Sequence, residues 1–229
     1  MLELEIKQKV YEANMELYRR NLVIYTWGNV SEKIGEFIVI KPSGVEYEKM
    51  KADDMVIVDI DGNIKEGKLK PSSDLKTHLE LYKACDEIKG ICHTHSNYAT
   101  SFAQAGLPII PLGTTHADYF FGTIPCTREL KKEEVANDYE KNTGKVIVEE
   151  FKNKSFLSVP AAIVKSHGVF TWGKSAKQAV ENAVILEEIA KMNFQTHLLN
   201  KNIHKLRDYI TNKHYQRKHG INAYYGQQK

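Results

Sequence analysis

The residues of this chain with the clearest chemical capacity are two histidines, His93 and His95, at the end of an apolar run. Side chains alternate between the two faces of a β-strand, so this spacing places both imidazoles on one face. A third histidine, His167, follows a second apolar run at residues 161–164. Three imidazole nitrogens that leave a coordination position open are a ligand set used by catalytic zinc. The pattern therefore indicates a metal site.

The same histidines are also compatible with a purely structural role. Histidine is common at strand ends and nine occur in this chain, so a lone His-X-His pair is a weak signal. Two neighbours favour the metal site: Gly168 lets the backbone approach closely, and Asp74 supplies a carboxylate upstream. Imidazole and carboxylate ligands suit Zn, Mn, Co or Fe, and the residues alone do not choose among these metals.

Three short turns combine glycine, small polar side chains and free backbone donors, a composition that binds phosphate. Lys41 would add positive charge beside them. Each turn alone is more typical of an ordinary connection, so the prediction depends on the set. Neither GxGxxG nor GxxxxGK[ST] occurs, so no dinucleotide or nucleoside triphosphate site is indicated. The turns are Gly28-Asn29, Ser43-Gly44 and Ser72-Ser73.

Charge and cysteine content narrow the class of protein. The net charge of +3 arises from 32 basic and 29 acidic residues spread along the chain, which fits an anionic metabolite and argues against nucleic acid or an acidic membrane surface as partner. Three cysteines without CxxC spacing favour a reducing compartment over a disulfide framework. The acidic N-terminus and the lack of an 18-residue apolar stretch predict a soluble, cytoplasmic protein.

The elements that must position these residues suggest one α/β domain spanning residues 1–229, since no linker interrupts the chain. Ser73 and Asp74 stand where a helix N-cap would, and Trp27 and Trp172 are expected in the core. Apolar spacing predicts helices within residues 1–21, 97–105, 131–153, 175–200 and 204–225. Strands are predicted at 37–40, at 88–95, as a pair within 161–172, and as a hairpin from 55 that turns through Asp61-Gly62.

The long loop at residues 106–127 is rich in Gly, Pro and Thr, a composition typical of functional loops. Its Asp118, and Tyr225 near the C-terminus, are candidates for proton transfer because a carboxyl and a phenol can each move a proton within hydrogen-bond reach. Alone, Asp118 is more typical of a loop-capping aspartate. A structural role is the default for four further polar residues, His116, Glu140, Lys213 and His214.

The motifs together resemble the L-ribulose-5-phosphate 4-epimerases of the class II aldolase/adducin family, nearly end to end. The GTTHADYF block and the AYYGQ tail are the most specific, since the family's aldolases do not share them in this form. Aldolases carry a glutamate where this chain has Asp74, which also favours an epimerase. The matching segments are TWGNVS at 26–31, KPSGV at 41–45, KPSSD at 70–74, HTHS at 93–96, GTTHADYFFGTIPCTR at 113–128, SHG at 166–168 and KHYQRKHGINAYYGQ at 213–227.

The resemblance implies a fold and a ligand set. The fold would be a single α/β domain whose central, largely antiparallel β-sheet is flanked by helices on both sides. His93, His95 and His167 would bind one divalent metal, zinc in the familiar enzymes, with Asp74 as a ligand or near-ligand. The substrate and its phosphate would be held by Gly28, Asn29, Ser43, Gly44, Ser72 and Ser73.

The resemblance also implies catalytic groups and an assembly. Asp118 and Tyr225 would be the two proton-transfer groups, on opposite faces of the reacting carbon. The family enzyme is a homotetramer of fourfold symmetry with active sites at subunit boundaries, so Tyr225 would reach a neighbour's metal.

The implied activity is the interconversion of L-ribulose 5-phosphate and D-xylulose 5-phosphate, in the catabolism of L-arabinose or in L-ascorbate breakdown. Two alternatives stay open. One is an aldolase acting on a ketose phosphate such as L-fuculose 1-phosphate, which would release a free aldehyde. The other is a catalytically inactive binding module, as in the adducin head domain, which would bind no metal.

Overall fold

A seven-stranded sheet, in which every hydrogen-bonded pair of strands is antiparallel, forms the centre of the part of the chain described here. The structure is a computed structural model and describes residues 2–226. The strand order across the sheet is β4-β3-β2-β1-β5-β7-β6. The strands are β1 (Asn29–Ile34), β2 (Phe37–Ile40), β3 (Val56–Asp59), β4 (Ile64–Glu66), β5 (Gly90–Thr94), β6 (Ala161–Val164) and β7 (Gly168–Gly173).

Helices cover both faces of this sheet. Alternate residues of one strand therefore enter different cores: Ile38 and Ile40 point to one core, and Val39 between them points to the other. The helices are α1 (Leu2–Arg19), α2 (Leu75–Ala84), α3 (Asn97–Ala105), α4 (Thr114–Ala117), α5 (Lys132–Glu150), α6 (Ala176–Leu199) and α7 (Asp208–His219). The first core also takes side chains from α2, α3 and α5, and the second from α1 and the start of α6.

This architecture confirms the predicted α/β fold with an antiparallel sheet between helices. The hairpin between β3 and β4 turns at Gly62, whose φ of +88° lies in the left-handed region that glycine adopts without strain. The predicted helix at 131–153 is one element with a break at Asp138. The loop at 106–127 contains the short helix α4, which the sequence did not indicate.

The pairing of β5 with β7 is the feature of the sheet that builds the site. These strands are antiparallel neighbours, and Thr94 at the end of β5 lies opposite Val169 near the start of β7. The residues that leave β5 therefore meet the residues that enter β7 at one edge of the sheet. Within the described residues, no helix combines the length and apolar character that a membrane span needs.

A candidate metal centre and its cavity

His93, His95 and His167 come together where β5 ends and β7 begins. Each offers one ligand atom, and these atoms all lie within 4.8 Å of one another. The Nε2 atoms of His93 and His95 lie 3.1 Å apart. A tetrahedral zinc ion with Zn–N bonds of about 2.1 Å separates its nitrogen ligands by about 3.4 Å. The cluster therefore has nearly the spacing that one such ion requires.

Close backbone packing at Gly168 makes this convergence possible. A Cβ atom at Gly168 would lie only 2.8 Å from the Thr94 carbonyl oxygen and 3.2 Å from His93 Cε1. Any side chain here would push β7 away from β5 or turn the His93 ring. Gly168 therefore allows close backbone approach, as predicted. The two segments that it brings together are the end of β5 and the start of β7.

Burial keeps two of the three imidazoles, those of His95 and His167, in the neutral form. Burial, reinforced by the neighbouring His93, lowers the pKa of His95 to about 4. Burial, with His93 and His95 nearby, lowers the pKa of His167 to about 3. A metal binds the lone pair of a neutral imidazole, so these rings are in the ligand form at neutral pH without losing a proton. The donor set therefore fits a divalent cation.

Asp74 lies beside the three histidines and not within their cluster. Its Oδ2 accepts a hydrogen bond of 2.7 Å from Asn29 Nδ2 and lies 4.0 Å from His93 Nε2. Burial opposes ionisation, but the charges of His93 and His78 and the Asn29 bond outweigh it, so the pKa of Asp74 lies below its ordinary value. Asp74 occupies the N-cap position of α2, as predicted, but its side chain makes no cap bond to that helix.

A cavity of about 500 Å³ opens over the histidines. It contains every residue predicted to bind metal, substrate or phosphate. Loop and turn residues form most of its wall, and two residues of α5 close one side. The cavity is lined by Thr26, Trp27, Gly28, Asn29, Lys41, Pro42, Ser43, Gly44, Ser72, Ser73, Asp74, His93, His95, Tyr139, Glu140 and His167.

Backbone hydrogen bonds hold two of the predicted phosphate turns, Ser43-Gly44 and Ser72-Ser73, side by side. Ser43 N donates to Lys70 O at 2.9 Å, and Ser72 N donates to Lys41 O at 3.0 Å. Gly28 also lines the cavity; its φ is +74°, and a Cβ atom there would lie only 2.8 Å from the His93 carbonyl oxygen. The set of turns predicted from the sequence is thus assembled around one space.

Lys41 places a buried positive charge in this wall. Its side chain is 1% exposed, and its ammonium donates only to backbone carbonyls among the described residues, the shortest bond being 2.9 Å to Val45 O. Burial lowers the pKa of Lys41 to about 8. At neutral pH most protein molecules therefore carry a protonated Lys41. Within the described residues no carboxylate pairs with this ammonium group, so its charge is available to an anion in the cavity.

Asn29 adds an acceptor to the same cavity. Its Nδ2 is committed to Asp74, but its Oδ1 is buried and has no hydrogen-bond partner among residues 4–226. A buried acceptor without a partner costs free energy, so such groups mark positions where a ligand hydroxyl or water completes the bonding. The asparagine predicted to hold substrate thus has an atom available to do so.

Three cavity residues were missed or misread in the sequence. Trp27 was expected in the core but is 53% exposed at the cavity, with its ring centre 6.0 Å from that of His95; Trp172 is fully buried as predicted. The position of Trp27 directly before Gly28-Asn29 was the available signal. Tyr139 and Glu140 follow the break in α5 at Asp138, which no sequence motif indicated.

Asp118 and Tyr225 lie outside the cavity of their own chain. Arg217 of α7 binds both Asp118 carboxylate oxygens, at 3.0 and 2.7 Å, and His214 Nδ1 lies 3.1 Å from Oδ1. Partial burial acts to raise the pKa of Asp118, but these two partners outweigh it and lower the pKa. The exposed Tyr225 ring lies 4.9 Å from the Arg217 guanidinium. The two predicted proton-transfer residues thus share Arg217, away from the histidines.

Solved structures share this fold. An L-fuculose 1-phosphate aldolase superposes with a TM-score of 0.73 at 24% identity, over 93% of this chain and 95% of the other. YgbL from Escherichia coli, described only as a putative aldolase, epimerase or decarboxylase, gives a TM-score of 0.75 at 20% identity, over 93% and 99%. The L-fuculose-1-phosphate aldolase from Thermus thermophilus gives 0.69 at 20%, over 90% and 100%.

Residues 8–194 match the Class II Aldolase and Adducin N-terminal domain, and that match includes the three histidines and every cavity residue. The structural likeness, at 24% identity or less, shows the fold alone. The family match covers most of the chain and therefore also shows the family. The chain belongs to the class II aldolase/adducin family.

Proposed function

We propose that this protein is an L-ribulose-5-phosphate 4-epimerase, which interconverts L-ribulose 5-phosphate and D-xylulose 5-phosphate in pentose catabolism such as that of L-arabinose. The observation that carries the proposal is a single cavity holding three imidazoles at metal-ligand spacing and, in its wall, the buried cation of Lys41. One space thus offers a metal site and an anion site, as a phosphorylated sugar requires.

The substrate's own chemistry explains why an aldolase fold suits this epimerisation. Carbon 4 is not adjacent to the C2 carbonyl, so its hydrogen is not acidic and direct deprotonation cannot invert it. Retro-aldol cleavage of the C3–C4 bond avoids this problem: the C4 hydroxyl loses its proton, the bond electrons pass to C3, and an enediolate and glycolaldehyde phosphate result. Rotation of the aldehyde and re-addition on its other face re-forms the bond with C4 inverted.

The charge that develops on the enediolate has to be stabilised. When bound by His93, His95 and His167, a divalent cation, which we take to be zinc, supplies Lewis-acid stabilisation worth several kcal/mol. The chain contributes the orientation of the three imidazoles and the ionised Asp74 beside them. It also offers Asn29 Oδ1 as an acceptor for a sugar hydroxyl.

The phosphate wall would keep the cleaved fragment in place. Lys41 supplies the charge, and donors around it come from the hydroxyls of Ser43, Ser72 and Ser73 and the backbone N–H groups of Gly44 and Ser73. Glycolaldehyde phosphate carries the phosphate, so it is the fragment that this wall holds. Retention allows the aldehyde to rotate and react again before it escapes.

Proton transfer at the C4 hydroxyl is assigned to Asp118 and Tyr225 of a neighbouring subunit. Both groups lie away from their own cavity and both contact Arg217, so a neighbour could deliver them as one unit. Exposed apolar side chains such as Leu199, at the end of α6, and Ile221, after α7, favour burial against another copy. We therefore propose a homotetramer with active sites at subunit interfaces.

The proposal is tested by incubating purified protein with L-ribulose 5-phosphate, with zinc and after chelation, while D-xylulose 5-phosphate and free glycolaldehyde phosphate are measured separately. We expect metal-dependent epimer without accumulation of free aldehyde. His95→Asn should reduce metal content and turnover together, whereas His204→Asn, at an exposed position outside the cavity, should change neither. Full activity after metal loss would rule out this mechanism.

A class II aldolase is the second candidate, because three of the structures that share this fold are L-fuculose 1-phosphate aldolases. The same assay separates it from the epimerase. Release of free glycolaldehyde phosphate without epimer, or cleavage of L-fuculose 1-phosphate, would favour the aldolase. A protein that binds no metal and converts no sugar would favour a binding module.

A further inference from the structure

Two histidines of the cluster, His93 and His167, have a hydrogen-bond partner on the outward nitrogen. His93 Nδ1 lies 2.9 Å from Val169 O. His95 Nδ1 lies beside Gly168, where an added Cβ atom would come within 3.4 Å of it. His167 Nδ1 lies 3.3 Å from the Tyr139 hydroxyl. The inward nitrogens of His93 and His95, both Nε2, face each other across the cluster.

These partners determine the tautomers, but they are not equivalent. A backbone carbonyl only accepts, so the His93 ring must carry its proton on Nδ1, which leaves Nε2 free as a ligand. The partner of His167 is a side-chain hydroxyl, which can accept from Nδ1–H or donate to bare Nδ1. The state of the third ligand therefore depends on one replaceable residue.

We propose that Tyr139 is a positioning residue for the metal centre: its hydroxyl accepts the Nδ1 proton of His167 and so holds Nε2 toward the other two imidazoles. The inference deepens the metal site of the proposed function and rests on it. Partners of this kind orient a ligand ring and raise its basicity, and their removal typically costs about 10- to 100-fold in metal affinity.

The surroundings of Tyr139 fit a positioning role. The residue follows directly on the break in α5, where Asp138 leaves the helical conformation at φ −176° and ψ 78°. Two contacts to α2 hold the chain on either side, a 2.9 Å ion pair between Lys76 and Asp138 and a 2.6 Å bond from Thr77 Oγ1 to Glu140 O. Tyr139 thus projects from a fixed backbone.

His167 in turn has a fixed backbone but no backbone acceptor for its ring within the described chain. It ends the tight turn between β6 and β7, where its N donates to Val164 O at 3.0 Å and Ser166 has a φ of +62°. Within the described residues, the His167 imidazole makes one hydrogen bond to a side chain outside the cluster, and its partner is the Tyr139 hydroxyl. Without that hydroxyl, the ring could turn and present either nitrogen.

The test compares zinc binding by the wild-type protein and Tyr139→Phe, which removes the hydroxyl and keeps the ring. Chelator-treated, full-length proteins are titrated with zinc against a chromophoric competitor, with no sugar present. Tyr18→Phe is the matched control, because it also removes one tyrosine hydrogen bond, to Glu48, outside the cavity. We expect a Kd about 10- to 100-fold higher for Tyr139→Phe alone, at unchanged apo-protein thermal stability.

A second measurement needs no variant. Nitrogen-15 NMR of imidazoles in the zinc-loaded wild type should show His167 protonated at Nδ1 and coordinated through Nε2. Coordination through Nδ1, or an unchanged Kd in Tyr139→Phe, would overturn the inference while leaving the epimerase proposal intact. The expected zinc results without epimerase activity would overturn only the proposed function. A wild type that binds no zinc would overturn both.

Discussion

At the scale of single residues, burial lowers the pKa of both a histidine and a lysine of the cavity, but the two side chains end in different charge states. Burial disfavours the cationic form of both histidine and lysine. Because ordinary histidine titrates near about pH 6.5, the lowered pKa of about 4 makes His95 a neutral ligand at neutral pH. The lowered pKa of Lys41, about 8, still leaves most of its population charged. One environment thus supplies metal ligands and an anion-binding cation.

Lys41→Met is expected to raise the KM for a phosphorylated substrate about 10- to 100-fold, since a hydrogen bond to a charged group contributes about 1.5 to 3 kcal/mol. Wild-type KM should also rise as the pH increases through about 8, because Lys41 then loses its charge. Steady-state kinetics from about pH 6.5 to 9 measure both effects. Lys70→Met, an exposed residue of the adjoining loop, should leave KM unchanged. A pH-independent KM in wild type would argue against a role for this cation.

Tyr225→Phe should abolish epimerisation by removing one of the two proton-transfer groups, while metal content and oligomeric state remain those of wild type. Its ring would still pack over Arg217. Metal analysis, light scattering and the epimerase assay together check the prediction. Tyr224→Phe, at the neighbouring exposed tyrosine, is the control. Wild-type turnover in Tyr225→Phe would remove this residue from the catalytic assignment.

At the scale of elements, two antiparallel strands and one helix break determine which side chains meet. The register of β5 against β7 pairs His93 with Phe170, and the two rings stack with centres 4.2 Å apart. The stack fixes His93, and Gly168 permits the strand spacing that the cluster needs. Metal affinity should therefore depend on the strand pairing as well as on the ligands.

Gly168→Ala tests this dependence. Its Cβ would meet the Thr94 carbonyl at 2.8 Å, so we expect loss of zinc affinity and a lower melting temperature. Gly113→Ala is the control, because a Cβ there has no atom within 4 Å and Gly113 needs no positive φ. Calorimetry and a zinc titration measure the two effects. Wild-type zinc affinity in Gly168→Ala would show that the close approach is dispensable.

Sequence periodicity and local composition predicted the strand that carries His93 and His95 and the turns that line the cavity. The alternation around His93 and His95 indicated their shared face, and the turn chemistry indicated the cavity wall. Tyr139 could not be predicted, because its direction depends on the break at Asp138 and on a contact to Lys76 from another helix. The contact of Asp118 with Arg217 joins residues far apart in sequence, so no local pattern could reveal it.

At the scale of the whole molecule, buried neutral histidines link stability to pH. His116 is 2% exposed, its Nε2 donates to Gly122 O at 2.7 Å, and burial lowers its pKa to about 4. The default structural role predicted for it fits this position. In the unfolded chain a histidine binds a proton below about pH 6.5. Acidification from about pH 6.5 to about pH 4 therefore stabilises the unfolded state relative to the folded one.

His116→Gln should reduce the loss of folding stability that occurs on acidification. One proton over about 2.5 pH units corresponds to about 3 kcal/mol in the free energy of unfolding, so the variant's profile should be flatter by up to that amount. Urea unfolding of metal-free protein at about pH 4.5, 5.5 and 7 measures it. His204→Gln, at an exposed position, should follow the wild-type profile. A profile for His116→Gln identical to wild type would contradict the assignment.

The most direct measurement of the central claim is conversion of L-ribulose 5-phosphate by the zinc-loaded protein in D2O, with the product analysed by NMR. Retro-aldol cleavage breaks the C3–C4 bond and never the C4–H bond, so the account predicts D-xylulose 5-phosphate that retains its original hydrogen at C4. The product should vanish on chelation. Deuterium at C4, or no D-xylulose 5-phosphate from zinc-loaded protein, would contradict the account.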